Sequence, residues 1–222
     1  AAAEAYIPYL LFSDNRYNIC YAMGEPVPLY AFVYHRYLNN FMGNQVCTQY
    51  AFDHQKSPEN IFMRIAYSFC CGDMLTVVIN DDGNIIFNWG YCNPDNLPCQ
   101  EATSELIKNL NYWRRCGAKS YLHTGTKEVP YKIQSDEIKI YGAMDYDHKY
   151  NKIFTSAWST LNGEFGQFLV NYTTEPIECI IDLPEKESFK VYEEYDKPLM
   201  SITGRSAISL KRLSAVLIEK IK

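Results

Sequence analysis

The sequence predicts two halves of different class: α/β units over residues 1–130, then an antiparallel β-sandwich over residues 131–222. Three observations carry this expectation. Val27-Pro28-Leu29-Tyr30-Ala31-Phe32-Val33-Tyr34 is an almost unbroken apolar run entered through a proline, as in a strand buried on both faces of a parallel sheet. Two helix-period segments follow it, near 58–70 and 100–116, so strands and helices alternate. After Pro130 the period changes, and short strand-like runs recur at about 8–12-residue spacing.

Within the first half, the strand at 27–34 ends in Tyr34-His35-Arg36-Tyr37. In parallel α/β sheets, chemistry collects at that end of a strand. Ring faces beside a few hydrogen-bonding heads suit a sugar, which offers apolar C–H faces and a rim of hydroxyls. A polar loop follows and closes in Ser57-Pro58-Glu59. Ser57 reads as an N-cap, Pro58 as the first helical position and Glu59 as first-turn acid. The helix places Ile61, Ile65 and Phe69 on one face, and Cys71-Gly72-Asp73 closes it. Leu75 to Ile79 reads as the next strand, Asn80-Asp81-Asp82-Gly83-Asn84 as a turn, and Ile85 to Trp89 as a further strand. In the helix at 100–116, Ala102, Leu106, Leu110 and Trp113 mark the core face, and Gly117 supplies the stop.

In the second half, strands are expected at 137–141, 165–172, 178–183 and 189–192, with the closing pair at 208–210 and 216–218. Turns separate them at Leu161-Asn162-Gly163-Glu164, Thr174-Glu175-Pro176 and Thr203-Gly204-Arg205-Ser206. The nearly continuous apolar character of 165–172 marks a central strand. This half is expected to brace the sheet rather than bind ligand.

Composition narrows the function classes. Of the 222 residues, 47% are hydrophobic and 21% charged, as in an ordinary globular protein. The net charge of −5, without a basic stripe, argues against nucleic acid. No run approaches the ~18 apolar residues of a membrane span, so no membrane partner is expected. Ala1-Ala2-Ala3-Glu4 has neither a basic region nor an apolar signal segment. The expected location is therefore cytoplasmic, or secreted if a signal precedes this sequence. Eight cysteines, at 20, 47, 70, 71, 92, 99, 116 and 179, show no Cys-x-x-Cys pair, and no metal or cofactor is expected. Most read as buried, reduced thiols, with Cys92 and Cys99 the pair close enough in sequence for a disulfide. No glycine-rich phosphate loop, Gly-x-Ser-x-Gly elbow or His-Glu-x-x-His pair is present.

Several segments recur together in one order: Ala3-Glu4-Ala5-Tyr6-Ile7-Pro8-Tyr9, Val27-Pro28-Leu29-Tyr30 with Val33-Tyr34-His35, Leu106 through Trp113-Arg114-Arg115, and Tyr121-Leu122-His123-Thr124-Gly125. This resembles the end of the (β/α)₈ barrel in a glycoside-hydrolase-like family of uncharacterised function, related in fold to the endo-acting α-N-acetylgalactosaminidases. In that family a small β-sandwich follows the barrel, and Trp158 to Pro176 looks like it. The resemblance covers nearly the whole chain. It implies a partial (β/α) barrel segment followed by an antiparallel β-sandwich, with carbohydrate as the partner. It further implies that residues 1–130 hold only the last βα units, so that the chain is a fragment, one chain of a split protein or a degenerate relative. Its barrel edge would then be completed by the missing barrel portion or by another copy of the chain.

The activity implied is glycosidic bond hydrolysis by a carboxylate pair, set ~5 Å apart for retention or ~6.5–9.5 Å apart for inversion. The alternative is a non-catalytic carbohydrate-binding or structural module. Glu4 follows the position where relatives carry an acidic catalytic residue. It stands either as one of the pair, as the partner of a carboxylate just before residue 1, or as a solvated terminal residue. Tyr34, His35, Arg36 and Trp89 are the candidate substrate-binding residues. For His35 the competing reading is a core histidine satisfied by backbone, for Arg36 a structural ion pair, and for Trp89 a packing tryptophan. Asp81 and Asp82 read as turn residues rather than an acid/base pair or a calcium site.

Overall fold

The structure is a computed structural model that describes residues 29–38, 55–87, 97–141 and 147–221. Four helices lie among these residues: α1 (Leu29–Tyr34), α2 (Glu59–Cys71), α3 (Gln100–Arg115) and α4 (Lys119–Thr124). The strands are β1 (Thr126–Glu128), β2 (Ile133–Gln134), β3 (Glu137–Tyr141), β4 (Asp147–Asn151), β5 (Ile153–Ser159) and β6 (Phe165–Asn171). They continue with β7 (Ile177–Asp182), β8 (Phe189–Glu194), β9 (Lys197–Ile202), β10 (Arg205–Leu210) and β11 (Ser214–Lys220). They form a six-stranded sheet in the order β1-β5-β6-β11-β8-β9, a three-stranded sheet β10-β7-β2 and the hairpin β3-β4.

The six-stranded sheet is covered on both faces. Leu169, Val191, Val216 and Ile218 face one way, into a core shared with Cys179, Ile181, Ile208 and Leu210 of the three-stranded sheet. Their neighbours Phe168, Val170, Ala215 and Leu217 face the other way, into a core shared with α2, α3 and α4. Side chains alternate between faces along a strand, so β6 and β11 must be apolar at nearly every position. On the helical side Phe168 is the focus. Phe69 of α2, Trp113 of α3 and Tyr121 of α4 all meet its ring edge-to-face, with centroids at 5.4, 5.6 and 6.4 Å.

The helices at 59–71 and 100–115 form where their period predicts. Their ends differ in detail. The Ser57 hydroxyl does not cap α2; it accepts the Tyr141 backbone N–H at 2.7 Å and ties the helix start to β3. Gly72 closes α2 in the left-handed conformation, φ +86°, which favours glycine. Gly117 has a different role from the expected stop. Cys116 caps α3, and a Cβ on Gly117 would lie 1.9 Å from the Tyr195 ring.

Two expectations for the first half are corrected. Residues 29–34, expected within a buried strand, are helical. An apolar run of that length fits a buried strand or a short helix equally, and period alone does not separate them. The segments 75–79 and 85–87, expected as successive strands of a parallel sheet, are instead the arms of one tight antiparallel hairpin, bridged at Ile79 and Ile85. Asn80 Oδ1 accepts the N–H groups of Asp82 and Asn84, and Gly83 takes φ +81°, which fold the turn back on itself. Every strand pairing among the described residues is antiparallel, so the barrel segment is not seen there. The described fold is mostly antiparallel sheet with few helices.

The closing strands do not form a hairpin with each other. β10 belongs to the three-stranded sheet and β11 to the six-stranded one, so the turn at 211–213 crosses between layers. It is pinned to α3: Arg212 forks onto Glu105 at 2.6 and 3.2 Å, and Asn109 Nδ2 donates to the Leu213 carbonyl at 2.9 Å. No helix among the described residues is long and apolar enough to cross a membrane.

Phe168→Ala removes the ring on which three helices converge, so it should cost about 3–5 kcal/mol, read as a fall in urea midpoint. Phe165→Ala, at a half-buried position on the same strand, should cost clearly less. Equal losses would show that Phe168 is no hub.

Candidate functional site

The site lies where α1, the C-terminus of α2 and the edge strand β1 converge. Helix α1 is short, and the turn after it drives His35 inward until it is 4% exposed. His35 Nδ1–H donates to the Gly125 carbonyl oxygen at 3.0 Å, and Nε2 lies 3.3 Å from the Gly72 carbonyl oxygen. Its ring sits 4.5 Å from that of Trp158. Gly72 is what permits this approach, since a Cβ there would lie 2.3 Å from His35 Nε2. Burial holds the His35 pKa below its ordinary value; the two carbonyls oppose this and the cations Arg114 and Lys127 add to it. Hydrogen bonds through both nitrogens would require imidazolium. Burial beside two cations favours neutral imidazole, with the proton on the nitrogen making the shorter contact.

Arg114 and Lys127 are themselves buried. Arg114 donates to the Gly72 carbonyl, and burial lowers its pKa to about 10 against the opposing pull of Asp73. Lys127 stands opposite Trp158 in the β1–β5 register. Its ammonium lies 4.3 Å from the centroid of that ring and donates to the Cys70 carbonyl. Burial lowers its pKa, with Cys71, Cys70 and Asp73 opposing. Burial also pushes the thiols of Cys70 and Cys71 up to about 11 and 12, so both are neutral at pH 7. Asp73 is the buried carboxylate that acts on both cations.

Lys127 forms part of the wall of a pocket of about 470 Å³, within the ~300–1,000 Å³ of small-molecule sites. Phe32, Tyr67, Tyr150 and Phe154 supply ring surface, and Asn151, Thr155 and Ser156 are the neutral polar residues of the lining. The Thr155 hydroxyl already donates to the Phe168 carbonyl and accepts from the Gln167 amide, and the Ser156 hydroxyl accepts the Trp158 N–H. Glu128 is the one carboxylate among the described lining residues, and Ser159 Oγ donates to it at 2.7 Å. Among the described residues no group of three or more His, Cys, Asp or Glu side chains is placed to hold a metal.

Of the candidate residues singled out in the sequence, the described ones, Tyr34, His35 and Arg36, are not among the residues lining this pocket. Glu4 and Trp89 lie outside the described residues. Tyr34 is 46% exposed and Arg36 is also on the surface, whereas His35 turns into the protein from the residue between them. Asp81 and Asp82 sit exposed in the hairpin turn. Cys99 stands as a free thiol. Phe32 is the residue of the aromatic stretch that reaches the pocket. Lys127, Glu128, Tyr150 and Phe154 went unnoticed because no local pattern marks them. The pairing of β1 with β5 is what assembles them, and the one available hint was the change of period at Pro130.

Two outcomes follow for this junction. Gly72→Ala should destabilise the protein by at least ~1 kcal/mol, because alanine is strained at positive φ and its Cβ collides with His35. A Tm within a degree of wild type would refute that geometry. His35, with its folded pKa below 6.5, makes the unfolded state bind more protons as the pH falls. Stability should therefore be full above the ordinary pKa of 6.5 and fall as the pH drops from there to the lowered value. His35→Gln should flatten the urea midpoint over that window; an unchanged slope would assign the effect elsewhere.

No family model matches the chain, and none of the curated proteins matches it. Solved structures do. α-Galactosidase I from Mortierella vinacea is 10% identical at a TM-score of 0.38, over 83% of this chain and 40% of that one. An α-amylase from Geobacillus thermoleovorans, complexed with acarbose, is 14% identical at 0.41, over 84% of this chain and 39% of that one. A β-L-arabinopyranosidase from Geobacillus stearothermophilus is 11% identical at 0.39, over 90% of this chain and 48% of that one. The chain thus spans about two fifths to one half of these proteins, and at such TM-scores the likeness carries no argument about its function.

Proposed function

We propose that this chain is part of a carbohydrate-active protein and that the pocket beside Lys127 seats a sugar. The observation that carries this reading is the lining itself: four rings around neutral hydroxyl and amide groups, in a cavity of small-molecule size. Ring faces cover the C–H faces of a pyranose, and the Asn151 side-chain amide and the remaining acceptor capacity of the Thr155 and Ser156 hydroxyls meet its hydroxyls. The resemblance of the sequence to a glycoside-hydrolase-like family supports the same class.

Within that class, the parent activity is proposed as hydrolysis of a glycosidic bond by a carboxylate pair, with Glu4 as one member. Glu128 is the carboxylate the described pocket offers. Hydrolysis requires two carboxyl groups on either side of the bond. A single described carboxylate favours the second reading for this chain by itself, a carbohydrate-binding module whose catalytic partner is a further barrel portion or another copy of the chain.

A panel of aryl glycosides and intact glycans separates the two. Turnover abolished by Glu4→Gln supports the hydrolase; sugar binding without turnover supports the module. In either case Phe32→Ala, at a partly exposed ring of the wall, should weaken sugar binding by roughly two- to tenfold with Tm unchanged. Failure of every sugar to bind would end the carbohydrate reading.

A further inference from the structure

The wall of the pocket holds a buried lysine, Lys127, that forms no salt bridge with a carboxylate among the described residues. Its ammonium has three N–H donors, and among the described residues one goes to the Cys70 carbonyl. It lies between two rings, 4.3 Å from the centroid of Trp158 and 5.9 Å from that of Phe32, and Phe32 lines the pocket with it. Glu128, adjacent in sequence and also in the lining, makes no ion pair with it among the described residues. Its carboxylate accepts the Ser159 hydroxyl. The flanking thiols of Cys70 and Cys71 are neutral at pH 7, because burial holds their pKa values at about 11 and 12. Asp73 acts on Lys127 but also on Arg114. One buried carboxylate thus serves two buried cations, and only Lys127 borders the cavity.

A buried cation is costly unless an anion and hydrogen-bond acceptors complete its shell. An edge strand with an inward lysine guards against edge pairing, but such a lysine ordinarily carries its head out to water. Here the head stays inside, between the Trp158 and Phe32 rings, in a residue that lines the cavity. We propose that the pocket takes a sugar bearing an acidic group, a uronate carboxylate or a sulfate, with Lys127 as the residue that selects it. This rests on the carbohydrate reading and names its substrate class. The acid's oxygens accept the remaining ammonium N–H groups, while the ring of the sugar lies along Phe32 and Phe154.

The test uses the full chain and matched pairs of methyl glycosides: glucoside with glucuronide, galactoside with galacturonide, and glucoside with its 6-sulfate. Titration calorimetry at low salt should show one acidic member bound about tenfold or more tightly than its neutral partner, the gain of a charge-assisted hydrogen bond. The uronate and sulfate arms identify which acid is taken. Lys127→Met should bring that acidic member down to its neutral partner, and Lys127→Arg, which keeps the charge, should retain the preference. The wild-type pairs decide the matter even where a variant fails to fold. Equal binding of acidic and neutral members overturns this proposal and leaves the carbohydrate reading standing. Binding of neither overturns both.

Discussion

The Phe168 ring and the strand that carries it set the arrangement of the rest of the molecule. β6 pairs with β5 on one side and β11 on the other, and its residues alternate between two dry faces. Neither face can be left to water. The three-stranded sheet covers one, and α2, α3 and α4 cover the other, each through a ring that meets Phe168 edge-on. This makes the helical layer and the strand layer a single cooperative unit around one sheet. The two clusters differ in character. The inter-sheet core is mainly aliphatic, while the helical side is rich in rings, whose edge-to-face contacts fix orientation as well as area.

The same packing explains why polar groups are buried at the far end of α2. From Asn60 to Cys71 every residue of that helix is buried, so it has no solvent face on which to place polar side chains. Its closing carbonyls must be satisfied inside the protein. Two side chains from distant segments do this: Lys127 donates to the Cys70 carbonyl and Arg114 donates to the Gly72 carbonyl. A buried helix terminus has been met with cations, which complement the negative end of the helix dipole. The presence of Lys127 in the pocket wall follows from this requirement of the helix end.

What the sequence conveyed divides along physical lines. Helices α2 and α3 were legible because Ile61, Ile65 and Phe69, and Leu106, Leu110 and Trp113, repeat at helical spacing on a core-facing side. Strands β3, β6, β7, β8, β10 and β11 were legible as short apolar or alternating runs, several of them punctuated by Asn162-Gly163, Glu175-Pro176 and Thr203-Gly204, whereas β5 and β9 were not expected. Period said nothing decisive about 27–34 or 75–79, where a short apolar run fits more than one state, and the preference for a parallel sheet came from reading them together. The inward turn of His35 was one of the two alternatives open in the sequence. The pocket was illegible for a different reason. Lys127 lies 57 residues from Cys70 and stands opposite Trp158, and only the strand pairing brings those groups to one point.

That pairing also accounts for where the cavity is. β1 has three residues against the seven of β5, and it covers only Ala157–Ser159 of that strand. Beyond it the chain reaches Val129 and Pro130, and proline has no N–H with which to continue the ladder. The stretch from Ile153 to Ser156 therefore has no partner from β1, and its residues line the pocket together with 127–130. The half from residue 131 was expected to brace the fold without touching ligand. In the structure its strand β5 is covered at one end by β1, which precedes residue 131 and stops short, and the gap left beside β5 is the cavity. Bracing and cavity formation thus belong to the same strand. Residues 157–159 hold the edge, and the preceding four form the wall, with their character changing from apolar Ile153 and Phe154 to hydroxylic Thr155 and Ser156 as the strand approaches Lys127.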